Sequence, residues 1–128
     1  MPVPSDRLGL LLMSGTHERA HYAFVLATGA AAIGRGVVLF ATNDGCRALL
    51  ADWSSLAGAG RDADVRRTGV AGFEALREAA GELGVRMIAC DAGLRMAGLD
   101  GATLAAGVEV AGVVTFLEAS RGGQLLCL

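Results

Sequence analysis

His17-Glu18-Arg19-Ala20-His21 spells H-E-x-x-H, the spacing that places two histidines one helical turn apart as zinc ligands with a glutamate base between them. Such sites take a third ligand from further along the chain. His17 and His21 are the only two histidines, so that ligand would have to be Asp, Glu or Cys. The other chemistry-bearing side chains are three thiols, Cys46, Cys90 and Cys127. Their odd number and lack of zinc-ribbon spacing argue against a disulfide framework and for free thiols in a reducing, cytoplasmic compartment. Cys90 stands where an apolar run ends and a short helix, Asp91 to Met96, is expected to begin. The positive end of a helix dipole there favours a thiolate, Arg95 adds to this if it folds back, and Asp91 opposes it. A plain alternative is a small apolar residue packed at a strand end.

The elements that must position these groups follow from hydrophobic patterning. Leu8 to Met13 is a continuous apolar run closed by Ser14-Gly15-Thr16, as a buried parallel strand reads. Ala20, Ala23, Phe24, Ala27, Ala30 and Ala31 recur at helical spacing, with Gly34 as C-cap. Gly36 to Ala41 is a second strand, Cys46 to Trp53 a short helix, and residues 54–68 an exposed Gly- and Asp-rich loop. Ala71 to Leu83 is amphipathic: Phe73, Leu76, Ala80 and Leu83 form the buried face, and Glu74, Arg77, Glu78 and Glu82 face water. Gly84 caps it before a third strand, Val85 to Ala89. Then come a short helix at Leu99 to Gly107, a strand at Val108 to Ala111, a helix at Val113 to Ala119 and a last strand, Gln124 to Leu128. Cys127 is expected in the core of that last strand.

Alternating strands and helices predict an α/β fold, an open, mostly parallel sheet with helices on both faces. In such sheets the loops after the strands' carboxyl ends gather on one edge. Three loops share that edge: Ser14 to His17, Asn43 to Cys46, and Cys90 to Gly93. The first is too short for a P-loop, and no G-x-G-x-x-G follows a strand, which argues against nucleotide binding. The H-E-x-x-H stretch falls at the first turn of the first helix, where Glu18 suits the dipole. His17 then lies on the active edge, overlooking Cys90 and assisting its proton transfers. No resident metal or other cofactor is expected.

The 128 residues suit one domain spanning 1–128, after a leader at 1–6, and bury about two-thirds of the unfolded surface. The chain is 53% hydrophobic but only 5% aromatic, so Ala, Val, Leu and Ile must build the core. All 11 basic residues are Arg, and the net charge of −2 carries no clustered basic face, which argues against nucleic acid as a partner. The N-terminus lacks a basic n-region and a long h-region, so no signal peptide is expected. The nearly uncharged stretch from Tyr22 to Thr42 is broken by Arg35 and glycines, so no membrane span is expected.

"MIACDAGLRMAGLD", Met87 to Asp100, resembles the segment around the sulfur-carrying cysteine of the DsrE/DsrF-like family: an apolar strand, a Cys, a short helix with a basic residue, then a Gly-Leu turn. "LFATNDG", Leu39 to Gly45, is similar to that family's second strand ending in Asp-Gly. "SGTHERAHYAFVLATGAAAIG" is similar to its first loop and helix, where Glu-Arg-Ala recurs and flanking histidines are incidental. "GVEVAGVVTFLEA", Gly107 to Ala119, resembles its late strand and helix. The similarity runs in order along nearly the whole chain.

The resemblance implies a three-layer α/β/α sandwich with a five-stranded sheet, and a homo-oligomer, commonly a trimer or hexamer. It also implies passage of sulfane sulfur as a cysteine persulfide, without metal or organic cofactor, between donor and acceptor proteins. By position Cys90 is then the carrier, lined by Asn43, Asp44 and Gly45 from the second loop and Ser14 and Thr16 from the first. Many relatives have a second cysteine three residues after the first; here Gly93 stands there, so no C-x-x-C is present. Cys46 occupies a position more usually apolar. If the second and third strands are neighbours, it approaches Cys90, either as a second thiol or as a buried helix-start residue. Three functions are therefore weighed: a sulfur relay through Cys90, an oligomeric scaffold of the same fold in which the thiol is unused, and, more remotely, a metal-binding protein through His17 and His21.

Overall fold

A computed structural model describes residues 6–128; most of the leader expected at 1–6 lies outside the described residues. Five strands form one sheet: β1 (Leu8–Leu12), β2 (Val37–Ala41), β3 (Arg86–Cys90), β4 (Glu109–Ala111) and β5 (Gln124–Cys127). The order is β4-β3-β2-β1-β5, and all four pairings are parallel. Five α-helices accompany it: α1 (His17–Ala32), α2 (Asp62–Arg67), α3 (Phe73–Glu82), α4 (Asp91–Met96) and α5 (Val113–Ala119).

The steps from β1 to β2 to β3 run in one direction, through α1 and then α3. The return from β4 to β5 passes to the far side of β1, so a right-handed connection puts its helix on the opposite face. Alternation along the strands matches this division. Leu8, Leu10, Leu12, Val37, Leu39, Ala41, Met87 and Ala89 join the core against α1 and α3. Val38, Phe40, Ile88 and Cys90 point the other way and meet Phe116 of α5. Phe40 and Phe116 stack with centroids 4.9 Å apart. The three-layer α/β/α sandwich is thus formed, with a thick first layer and a thin second one.

The alanine face of α1 (Ala20, Ala23, Ala27 and Ala30, with Phe24) is buried as its spacing predicts. Thr16 caps the helix by accepting from the Arg19 N–H, and Gly34 follows its end at φ +91°. Several expectations change where short-range patterns lose to tertiary contacts. The helix at 46–53 is instead a 3-10 helix, Asn43–Leu49, begun three residues earlier. Residues 54–68 are not simply a loop: they hold a 3-10 turn (Ala59–Arg61) and α2, and they bury Leu56 and Asp62. Residues 99–107 form turns, not a helix, because their main chain pairs with the segment after β2: Ala51 N–H donates to Thr103 O at 2.9 Å and Ala105 N–H to Leu49 O at 2.9 Å. Arg77 is buried while Leu83 is exposed at the helix end. Cys127 is exposed, since β5 is an edge strand. No helix among the described residues is long and apolar enough to cross a membrane.

Candidate functional site

The third loop is built around Cys90, the last residue of β3 and the N-cap of α4. Its extended backbone (φ −67°, ψ 122°) turns the chain so that the Gly93 N–H donates to Cys90 Sγ at 3.3 Å. Cys90 is 7% exposed and packs with the second-face core. The condition under which Arg95 would favour the thiolate is not met: it pairs with Asp91, one turn before it on α4.

The second loop holds the third in place. Asn43 takes a left-handed conformation (φ 52°), which asparagine tolerates better than most residues. Its Oδ1 accepts from Thr42 Oγ1 at 3.3 Å. Gly93 lies so close to this corner that a Cβ there would stand 2.5 Å from Asn43 N and 2.5 Å from Thr42 Oγ1. Gly45 is pressed on β1 in the same way: a Cβ would lie 2.2 Å from the Leu12 carbonyl oxygen, and its N–H donates to Met13 O at 3.1 Å. Asp44 faces outward and pairs with Arg47 at 3.3 Å.

β2 and β3 are neighbours, and Cys46 does approach Cys90. The Cys46 thiol is pushed up to about 11, by burial first and then by the Cys90 sulfur; the Cys90 main-chain N–H acts in the opposite sense. Cys46 donates its S–H to Ala41 O at 3.4 Å.

The first loop touches the second rather than the thiol. Ser14 Oγ lies 2.9 Å from Thr16 Oγ1 and accepts from the Thr16 N–H at 3.2 Å, so both hydroxyls are engaged in the turn before α1. Gly15 packs on Asp44, and with Thr16, Arg47, Ser55 and Ala57 these line a separate open groove of about 530 Å³. His17 does not overlook Cys90. Its ring is buried on the first face, stacked on His21 at 5.5 Å and against Trp53 and Phe73, with Nε2 2.8 Å from Asp62 Oδ1. His21 directs its own Nε2 to Ala71 O at 2.9 Å. The two imidazoles are thus turned to separate partners. Among the described residues no group of three His, Cys, Asp or Glu side chains is placed to hold a metal ion.

Two residues escaped the sequence reading. Asp62 accepts from His17 and, through Oδ1, from the Phe73 N–H at 2.8 Å, so it ties α2 to α1 and to the start of α3. Burial alone would raise its carboxyl, but His17, the Phe73 N–H and Arg66 outweigh that and hold it below the usual aspartate value. Arg77 donates to Ala48 O at 3.0 Å and Leu50 O at 2.6 Å, closing the end of the 3-10 helix that follows the second loop. Its place one turn after Phe73 and three residues before Ala80 was a signal, since 73, 77 and 80 share one helical face.

The crystal structure of the YchN protein from E. coli is similar over 97% of this chain and 99% of its own, with a TM-score of 0.71 and 16% identity. That likeness bears on the fold. No curated protein matches the sequence. The DsrE/DsrF-like family profile matches residues 6–124, nearly the whole length, and the chain belongs to the DsrE/DsrF-like family.

Proposed function

We propose that this chain is a small cytoplasmic sulfur-relay protein that carries sulfane sulfur on Cys90. The observation that carries the reading is the position of that thiol, at the carboxyl end of β3 and the start of α4 in a chain of this family. The Cys90 thiolate attacks the outer sulfur of a donor persulfide; the new S–S bond forms as the donor's S–S bond breaks, and the donor thiolate leaves. An acceptor thiolate then takes the outer sulfur from Cys90-S-SH and returns Cys90 as a thiolate. The Gly93 N–H supplies a donor to the inner sulfur throughout. Neither step requires a metal or an organic cofactor. With 7% exposure the thiol is nearly closed to solvent in the single chain. Asn43 meets the start of α4 at Gly93, while Asp44 and Gly45, with Ser14 and Thr16 beyond them, lie further from the thiol.

A second reading, an oligomeric interaction subunit whose thiol is idle, draws on a different observation. α5 exposes Val113, Val114 and Leu117, on the face of the sheet that also holds a nearly closed Cys90. Both readings include a homo-oligomer, a trimer or hexamer, formed through that apolar face. Intact mass after incubation with a persulfide donor separates them. The relay predicts a gain of about 32 Da at Cys90, one sulfur atom. No gain under conditions that load a control sulfurtransferase would overturn it, and loading retained in Cys90→Ser would move the role to another thiol.

A further inference from the structure

Trp53 is the chain's one tryptophan, and the transfer step gives it no task. It is only partly buried against the first-face core, and it walls two adjoining hollows of about 640 Å³ and about 400 Å³. The ring is fixed from behind. Phe73 packs against it at 4.9 Å, and its indole N–H donates to Glu74 Oε2 at 2.7 Å. A wall held in this way needs no reordering to receive a ligand, and the larger hollow has the size of a small-molecule site.

The charges lining that hollow give the ligand its sign. Asp62, Glu74 and Glu78 stand there with a single guanidinium, Arg66. Glu74 is matched by Arg77 at 3.4 Å, whereas Glu78 has no ion-pair partner among the described residues. Asp62 is the unusual member. Its side chain is only 8% exposed, and its Oδ1 already accepts from His17 and the Phe73 N–H. Its Oδ2 lies on the hollow's side, beside Gly72, where a Cβ would stand 2.8 Å away. Among the described residues the partner of Oδ2 is Arg66 Nε, at 3.5 Å, from a side chain that is 63% exposed. A buried carboxylate oxygen is thus met by a long, solvent-exposed ion pair, over a gap that the missing Cβ of Gly72 keeps open.

We propose that this hollow binds a small organic cation, a guanidinium or primary ammonium compound, which replaces Arg66 at Asp62 Oδ2 and is held by Glu78 and the Trp53 ring. Arg66 supplies the same chemistry from within the chain. A cation is attracted both to the carboxylates and to an indole face, whereas a neutral molecule of the same shape gains only the apolar contact. The site packs on the first face of the sheet and Cys90 on the second, so it stands apart from the sulfur-relay reading.

With one tryptophan in the chain, fluorescence reports on this site alone. The experiment titrates the native protein with butylguanidinium at constant ionic strength, and with butylurea as its neutral isostere. Butylguanidinium should change the Trp53 emission saturably, in the millimolar range, and butylurea should not. Glu78→Gln should weaken the affinity about two- to five-fold, the worth of one exposed ion pair. Arg66→Ala, which leaves Asp62 Oδ2 to the ligand, should strengthen it by about the same factor. Arg67→Ala removes an equal charge that pairs with Asp64 outside the hollow, and should leave the affinity unchanged. A change that does not saturate, a change that butylurea matches, an affinity unaltered in either Glu78→Gln or Arg66→Ala, or an Arg67→Ala effect as large as that of Arg66→Ala would each overturn the proposal. Both Glu78 and Arg66 are exposed, so these variants keep the fold, which far-ultraviolet circular dichroism checks.

Discussion

Gly93 of α4 stands against Asn43 at so short a distance that a Cβ on the glycine would lie 2.5 Å from the asparagine's main-chain nitrogen. The contact is with backbone, which cannot swing aside as a side chain end can. The position three residues after Cys90 is therefore closed to a second cysteine while the second loop keeps its present course. Gly93→Ala and Gly93→Cys should each lose about 1–3 kcal/mol, the usual cost of overpacking. Urea unfolding of both variants checks this, and a Gly93→Cys protein as stable as wild type would show that the two loops separate readily.

The buried His17–Asp62 contact yields a pH dependence with a definite sign. Asp62 is held below its usual value by His17, the Phe73 N–H and Arg66 against the opposing effect of burial. A carboxyl depressed in the folded state contributes stability that is present above its unfolded value, about pH 4, and is lost as pH falls through the folded one. Asp62→Asn should remove that part of the acid sensitivity and lower stability at pH 7. Thermal melts of both proteins from neutral pH into the acid range test it. Superimposed curves would mean that the dyad contributes nothing, and parallel displaced ones that its contribution is not the ionised carboxyl's.

Arg77 makes a different kind of tie. Its guanidinium lies over the Phe73 ring at 5.6 Å and donates charge-assisted hydrogen bonds to the buried carbonyls of Ala48 and Leu50. Arg77→Met keeps the apolar stem and removes the donors, leaving buried carbonyls unpaired at about 1–3 kcal/mol each. We expect a loss of a few kcal/mol in chemical denaturation. Arg77→Lys should recover only part of it, since an ammonium lacks the planar fork.

How far the sequence reveals this arrangement depends on whether a residue's role is local. The buried runs at Leu8–Leu12 and Val37–Ala41, the alanine stripe of α1 and the switch from strand to helix at Cys90 are all set by near neighbours in the chain, and the patterns show them. His17 reads wrongly because its partner lies 45 residues away in a segment whose composition resembles a solvated loop. Cys127 reads as core because an apolar strand sequence does not say which strand ends at the sheet's edge. The turns at 99–107 escape for the same reason: what fixes them is a backbone pairing with residues 49–51. At the candidate site, order along the chain places the three loops on one edge. Only the packing shows that they meet in series, Gly15 on Asp44 and Asn43 on Gly93, rather than all around the thiol.

The apolar face beside that site carries the last prediction. Val114 is 72% exposed and Leu117 53%, on a helix whose only buried side chain is Phe116. Neighbouring charges are matched within the chain, Arg86 with Glu109 at 2.6 Å and Arg121 with Glu118, so the rim adds little repulsion between like copies. A contiguous patch of valine and leucine left in water favours association, at about 25 cal/mol for each Å² covered. Val114→Glu puts a charge where a second copy would have to desolvate it, without touching Phe116 or the sheet. It should lower the mass seen by light scattering to that of a single chain while the far-ultraviolet circular dichroism stays unchanged. A wild-type protein that already runs as a monomer at high concentration would remove the assembly from both functional readings. If the assembly persists in Val114→Glu, its interface lies elsewhere on the surface.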